Sequence, residues 1–238
     1  MLHNFILEML GTMVLVLMGD GVCAAVSLRK CKAQQAGWLT IAVGWGLAVM
    51  CGVFVAHDTG AHLNPAVTLA FAIEGSFPWH MVLPYVVAQM TGGFLGACLV
   101  WAVYKDHFDA TSDEPDTILG CFCTAPAIRN PWRNFLGEAV ATFVLILGIL
   151  CFGTYGTTVN IGADAALPVT FLIMAIGLSL GSTTGYAMNA ARDLSPRLAH
   201  TLLPIKGKGG SDWRYSWVPL LGPLAGAAAA ALLYLAIY

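Results

Sequence analysis

The sequence predicts an all-α membrane protein with six transmembrane helices and two re-entrant half-helices arranged as an inverted repeat. Three observations predict it. Of 238 residues, 58% are hydrophobic and 10% charged, with a mean hydropathy of +0.75, whereas a soluble domain is about a quarter charged. The apolar residues gather in six stretches long enough to cross a bilayer, and the two halves of the chain repeat one another. Six spans of about 20 residues use about 120 positions, so the remainder suffices for connections but not for a large soluble domain. The reading is therefore a single transmembrane channel domain, 1–238.

The first stretch, 5–26, has no Lys or Arg before it and carries Glu8 and Asp20 within it, unlike a cleavable signal peptide. Stretches 38–56 and 82–104 follow, then 135–152, 166–187 and 217–238. Each is long enough to reach about 30 Å as a helix. Two shorter apolar segments, 64–73 and 189–203, open on Asn64 and Asn189; at that length they read as re-entrant elements. The charged stretch 105–116 and the Gly/Lys-rich run 205–212 read as exposed loops.

The halves match piece by piece. Glu8-Met-Leu-Gly-Thr12 recurs 130 positions later as Glu138-Ala-Val-Ala-Thr142, and Gly92, Gly96 and Ala97 recur at the same offset as Gly222, Gly226 and Ala227. Gly60-Ala-His-Leu-Asn64-Pro-Ala66 matches Gly185-Tyr-Ala-Met-Asn189-Ala-Ala191 at an offset of 125. Repeats of about 1–104 and 134–238, each with three spans, must enter the membrane from opposite sides because three is odd. The two short elements then meet near the midplane.

The Asn elements carry the chemistry. Asn is a strong N-cap, and Pro65 occupies the first helical position, where its missing N–H costs nothing; Asn189 starts the second copy with Ala190 in that place. Each half-helix, beginning at Asn64-Pro65-Ala66 and Asn189-Ala190-Ala191, directs a partly positive N-terminus to the membrane centre. There it repels cations while the Asn amides donate to a polar solute. The non-helical backbone before each Asn survives at this depth only if buried or lining a cavity. Its carbonyls, at Gly60, Ala61 and His62 and at Gly185, Tyr186 and Ala187, then offer a ladder of acceptors.

Gly60-Ala-His-Leu-Asn-Pro-Ala-Val-Thr68 and Gly185-Tyr-Ala-Met-Asn-Ala-Ala-Arg-Asp193 resemble the two signature motifs of the major intrinsic protein (aquaporin) family, in its glycerol facilitator branch. The likeness covers nearly the whole chain. It implies an aquaporin-like right-handed bundle, usually a homotetramer with one pore per subunit. Asp193 after Arg192 is the facilitator form of the second motif. The family's constriction, its selectivity filter, maps onto Trp45, Gly177, Tyr186 and Arg192, with Gly177 where strict water channels place a His. Two aromatic rings would make an apolar wedge and Arg192 would donate to hydroxyls, giving an amphipathic slot for a linear polyol. Ala190 in place of the signature Pro is a departure from the family, expected to loosen the cap only slightly.

An Arg at membrane depth costs about 2.5–3.5 kcal/mol unless it faces water or a partner; Arg192 is therefore read into the pore rather than into a pair with Asp193. Glu8 and Glu138 are symmetric, so they read as structural carboxylates accepting N–H bonds from the re-entrant backbone rather than as proton carriers; Asp193 reads as a third structural carboxylate. The seven cysteines read as buried small hydrophobes, and neither a metal site nor a cofactor is expected.

The function expected is passive conduction of glycerol and related small uncharged polyols, with water, without ions or protons; no enzyme constellation is present. The alternatives are a channel mainly for water or metalloid hydroxides and, in another class, a proton-coupled secondary transporter. The net charge of -2 and absence of a basic tail exclude nucleic acid as a partner. The partners expected are small uncharged solutes and the lipid bilayer of a cell membrane. Orientation is contested by two signals. All 11 Lys and Arg lie between spans one and two, three and four, or five and six, which the positive-inside rule would put in the cytoplasm. The resemblance puts both termini there instead, and is followed.

Overall fold

The structure is a computed structural model describing residues 1–159 and 166–238, with 153–159 described as helical backbone only. Apolar segments in lipid must satisfy their own backbone groups, which makes them helices. Among the described residues, five helices are long and apolar enough to cross a membrane: α1 (Leu2–Ser27), α2 (Trp38–Ala56), α4 (Val82–Val103), α7 (Pro131–Val159) and α10 (Trp217–Ile237). A shorter apolar helix, α8 (Ala166–Ser179), follows the undescribed residues and makes the sixth. The half-helices are α3 (Pro65–Glu74) and α9 (Ala190–Leu202).

Two expectations need correction. The fifth apolar stretch runs to 187, yet α8 stops at Ser179; a single 3-10 turn, Gly181–Thr183, follows, and from Gly185 the backbone is irregular. The residues remain apolar or small because they stay at membrane depth, not because they stay helical. The stretch 105–116 is not a plain exposed loop, since it forms α5 (Lys105–Ala110) and begins α6 (Pro115–Gly120). Phe108, Ile118 and Leu119 turn inward, and Arg29 ties the segment to the end of α1 through Asp113 (2.7 Å) and Glu114.

Small residues set the helix contacts. A Cβ on Gly92 of α4 would overlap the Met9 carbonyl oxygen of α1, and one on Gly96 would lie 2.6 Å from the Met13 oxygen. In the second half a Cβ on Gly226 of α10 would overlap the Ala139 oxygen of α7, and one on Gly222 would lie 2.7 Å from Glu138 Cβ. Helices brought this close gain dispersion contacts, which drive association where both sides are already in lipid. Each half-helix packs on the last span of the other half, α3 on α10 and α9 on α4.

Candidate functional site

The two half-helices meet end to end through their caps. Asn64 Oδ1 accepts from Ala66 N (2.8 Å) and Asn189 Oδ1 from Ala191 N (2.9 Å) and Arg192 N (3.2 Å). Each amide also donates across the junction, Asn64 Nδ2 to Met188 O and Asn189 Nδ2 to Leu63 O, both at 2.8 Å. An amide nitrogen has two hydrogens; one is used in this cross-bond, which leaves one per Asn for a solute. Pro65 and Ala190 stand at the first helical positions.

The loops before the caps are held in a conformation few residues adopt. Gly60, Ala61 and Leu63 have φ of 86°, 48° and 52°, and Gly185, Tyr186 and Met188 have 87°, 37° and 47°. For a non-Gly residue the left-handed region is strained and persists only where its surroundings dictate it. Two buried carboxylates do so. Glu8 accepts from His62 N (2.8 Å), Leu63 N (2.9 Å), Thr59 Oγ1 (2.8 Å) and Gln89 Nε2 (2.9 Å). Glu138 accepts from Ala187 N (3.0 Å) and Met188 N (2.9 Å). With their N–H groups turned back to the carboxylates, the loops are left with carbonyls to offer. The His62 ring is packed among Phe71, Phe77 and Tyr85, with Nδ1 3.1 Å from Thr68 Oγ1.

A cavity of about 550 Å³ opens along these loops. It is lined by Gly60, Ala61, His62, Tyr186 and Ala187, by Asn64 and Asn189, and by Trp45 and Arg192, with Leu15, Val49, Leu145 and Ile173 on the apolar wall. The Arg192 guanidinium stacks over the Trp45 ring, 4.0 Å from its centroid, a favourable cation–π geometry. Asp193 points away: it pairs with the fully buried Arg197 (2.9 Å) and accepts from Thr124 N (2.8 Å) and Thr124 Oγ1 (2.6 Å). Arg192 is thus not spent on its neighbour. Gly177 and Gly185 are not among the cavity's lining residues. Gly177 stands behind the Tyr186 ring, where a Cβ would be 2.9 Å from Cζ, and its carbonyl accepts from Trp38 Nε1 (2.8 Å).

A family model described as "Major intrinsic protein" matches residues 1–234. The chain belongs to the major intrinsic protein family. It is 53% identical over 228 residues to glycerol uptake facilitator protein 3 of Lactiplantibacillus plantarum, covering 95% of this chain and 93% of that one. It is 48% identical over 235 residues to the glycerol uptake facilitator protein of Streptococcus pneumoniae, covering 98% and 99%. The X-ray structure of the aquaglyceroporin from Plasmodium falciparum superposes with a TM-score of 0.83 at 29% identity, over 98% of this chain and 95% of that one. As a member of this family the protein is a multi-pass membrane protein.

Several residues that shape the site in this major intrinsic protein carry no motif. Cys23 Sγ accepts from Trp45 Nε1 at 3.3 Å, so this cysteine does more than fill space. Gly19, one turn earlier, lies against the face of the same ring. Gln89 and Thr59 complete the Glu8 shell. Arg197 ties Asp193 to the carbonyls of Thr124, Ser211 and Asp212. The available signal was charge at membrane depth; apart from the Asp193–Arg197 pair, the partners are 14 to 81 residues away and lie outside any local window.

Proposed function

We propose that the chain is a passive channel for glycerol and related small uncharged polyols, with water, that excludes ions and protons. One observation carries this reading: a single cavity is bounded at once by Trp45, Tyr186, Arg192 and both capping asparagines. A linear polyol has a carbon edge and a hydroxyl edge. The aromatic and aliphatic wall takes the first; the loop carbonyls, the free Asn hydrogens and Arg192 exchange hydrogen bonds with the second. An ion finds no equal replacement for its hydration, and the N-termini of α3 and α9 add a positive field against cations.

In this reading Trp45, Gly177, Tyr186 and Arg192 form the selectivity filter, with Gly177 leaving the space into which the Tyr186 ring retreats. Gly60, Ala61, His62, Gly185, Tyr186 and Ala187 supply the carbonyl ladder, and Glu8, Glu138 and Asp193 hold it. The chain is one channel domain of two repeats, 1–104 and 134–238. Proton-coupled transport is disfavoured because both Glu8 oxygens are already engaged, each by two donors.

The protein is assigned to a cell membrane as a homotetramer, as the resemblance to the family implies, with each subunit's pore the cavity lined by Trp45, Tyr186, Arg192 and both asparagines. Both termini are assigned to the cytoplasm. In support, much of the one-sided positive charge is committed to folding: Arg29, Lys105, Arg129 and Arg197 pair with carboxylates and Lys208 caps α9 through the His200, Thr201 and Leu203 carbonyls. Labelling of a Cys introduced beside Lys208 in intact cells tests the orientation.

Stopped-flow light scattering on proteoliposomes tests the filter. Gly177→His pushes bulk against Tyr186 and is expected to lower glycerol flux about tenfold or more, the scale of a lost fit of about 1.4 kcal/mol, while water flux persists. Arg192→Ala is expected to abolish proton tightness and blur the ranking of solutes. Unchanged glycerol flux in the first and unchanged tightness in the second would refute the assignment.

A further inference from the structure

The positive groups of the pore raise a problem of anions. Two half-helix N-termini and the Arg192 guanidinium all disfavour cations, and the same field attracts small anions. A counter-charge is needed, and α1 holds one. Asp20 is 1% exposed, and its Oδ1 lies 3.9 Å from Arg192 Nη1. Its Oδ2 is buried without a hydrogen-bond partner among the described residues. A carboxylate left this way in a protein interior calls for an explanation. Conversely, among the described residues Asp20 is the one carboxylate at ion-pair distance from the Arg192 guanidinium. Arg192 itself is 7% exposed and lines the cavity.

The geometry extends over one turn of α1. Gly19 admits the Trp45 ring, Asp20 faces Arg192, and Cys23 accepts the Trp45 indole N–H. Trp45 and Arg192 stack on each other, so one helical turn fixes both.

We propose that Asp20 is the counter-charge of the constriction: it holds the Arg192 guanidinium against Trp45 and neutralises it. The constriction then offers hydrogen-bond donors without a net positive charge and turns away small anions as well as cations. Asp20 is a positioning residue acting through Arg192, and the inference rests on the assignment of Arg192 to the filter.

The test is inhibition of glycerol flux by sodium nitrate in proteoliposomes, with ionic strength balanced by sodium gluconate, whose anion is too bulky for the slot. Wild type is expected to be insensitive. Asp20→Asn should bind nitrate at the uncompensated Arg192, lowering the half-inhibitory concentration about tenfold or more, with water flux as the check that the channel is folded. Asp20→Glu, which restores the charge, should return to insensitivity, and Asp20→Asn combined with Arg192→Ala should show no nitrate effect. Wild-type behaviour in Asp20→Asn, or in Asp20→Ser should the first variant fail to assemble, would overturn the proposal. So would nitrate block that survives removal of Arg192. Failure of the filter assignment reads out separately, as an Arg192→Ala channel with unaltered proton tightness.

Discussion

Asn64 and Asn189 are bonded into each other's loops: each side-chain amide donates at 2.8 Å to the carbonyl immediately preceding the other asparagine, Met188 for Asn64 and Leu63 for Asn189. The two half-helices are therefore joined by a reciprocal pair of hydrogen bonds as well as by packing. A capping side chain replaced by Ala costs about 0.5–2 kcal/mol, and each buried carbonyl left unmet adds about 1–3 kcal/mol. Asn189→Ala loses two caps and one cross-bond. It is expected to lower the thermal midpoint in detergent by more than any exposed-face substitution on α9, and a midpoint equal to wild type would contradict the junction described.

Ala190→Pro is expected to be tolerated. Asn189 is extended, with φ of -155° and ψ of 109°, the conformation a following proline requires, and its side chain accepts from Ala191 and Arg192 rather than from residue 190. Proton leak in liposomes should match wild type. A leaking wild type made tight by Pro would overturn this judgement.

Much of this was visible in the sequence, and the reasons for the remainder are physical. Asn64 and Asn189 stand out because capping is local and its residue types are few. Glu8 and Glu138 stand out because a carboxylate in an apolar run is rare. The end of α8 was hidden, because Leu180 to Ala187 stays apolar or small while the backbone leaves the helix, and hydropathy reports environment rather than dihedral angles. Asp20 carried the same signal as Glu8 but lacked a repeat partner, and its contact with Arg192 spans most of the chain. The α5 and α6 helices were masked by their charges, which face outward around a buried Phe108.

Glu8→Gln and Glu138→Gln should both impair assembly, because a Gln amide presents hydrogens to backbone N–H groups that need acceptors. Glu8 serves four donors, so its variant is expected to be the worse of the two in folded yield, by about 1–3 kcal/mol for each additional donor orphaned. Equal yields would show that the side-chain donors Thr59 and Gln89 carry no weight.

Arg197→Met removes the partner of a fully buried Asp193 and leaves the Thr124, Ser211 and Asp212 carbonyls without it. Breaking a buried pair from one side costs about 3–5 kcal/mol. The expected outcome is a marked loss of thermal stability, with partial recovery in Arg197→Met combined with Asp193→Asn. A double variant no better than the single one would show that the charge itself is not the source of the cost.

Gly226→Ala should separate α10 from α7, since its Cβ would overlap the Ala139 carbonyl oxygen; overpacking of this kind costs about 1–3 kcal/mol. Gly21→Ala, where a Cβ meets nothing within 4 Å, is the matched control and should be neutral or slightly stabilising in the same thermal assay.

The most direct measurement is glycerol permeability of wild-type proteoliposomes beside empty liposomes, with and without an imposed pH gradient. A passive polyol channel gives fast glycerol flux that rises without saturation and ignores the gradient. Water flux without glycerol flux, or glycerol accumulation driven by the gradient, would contradict it.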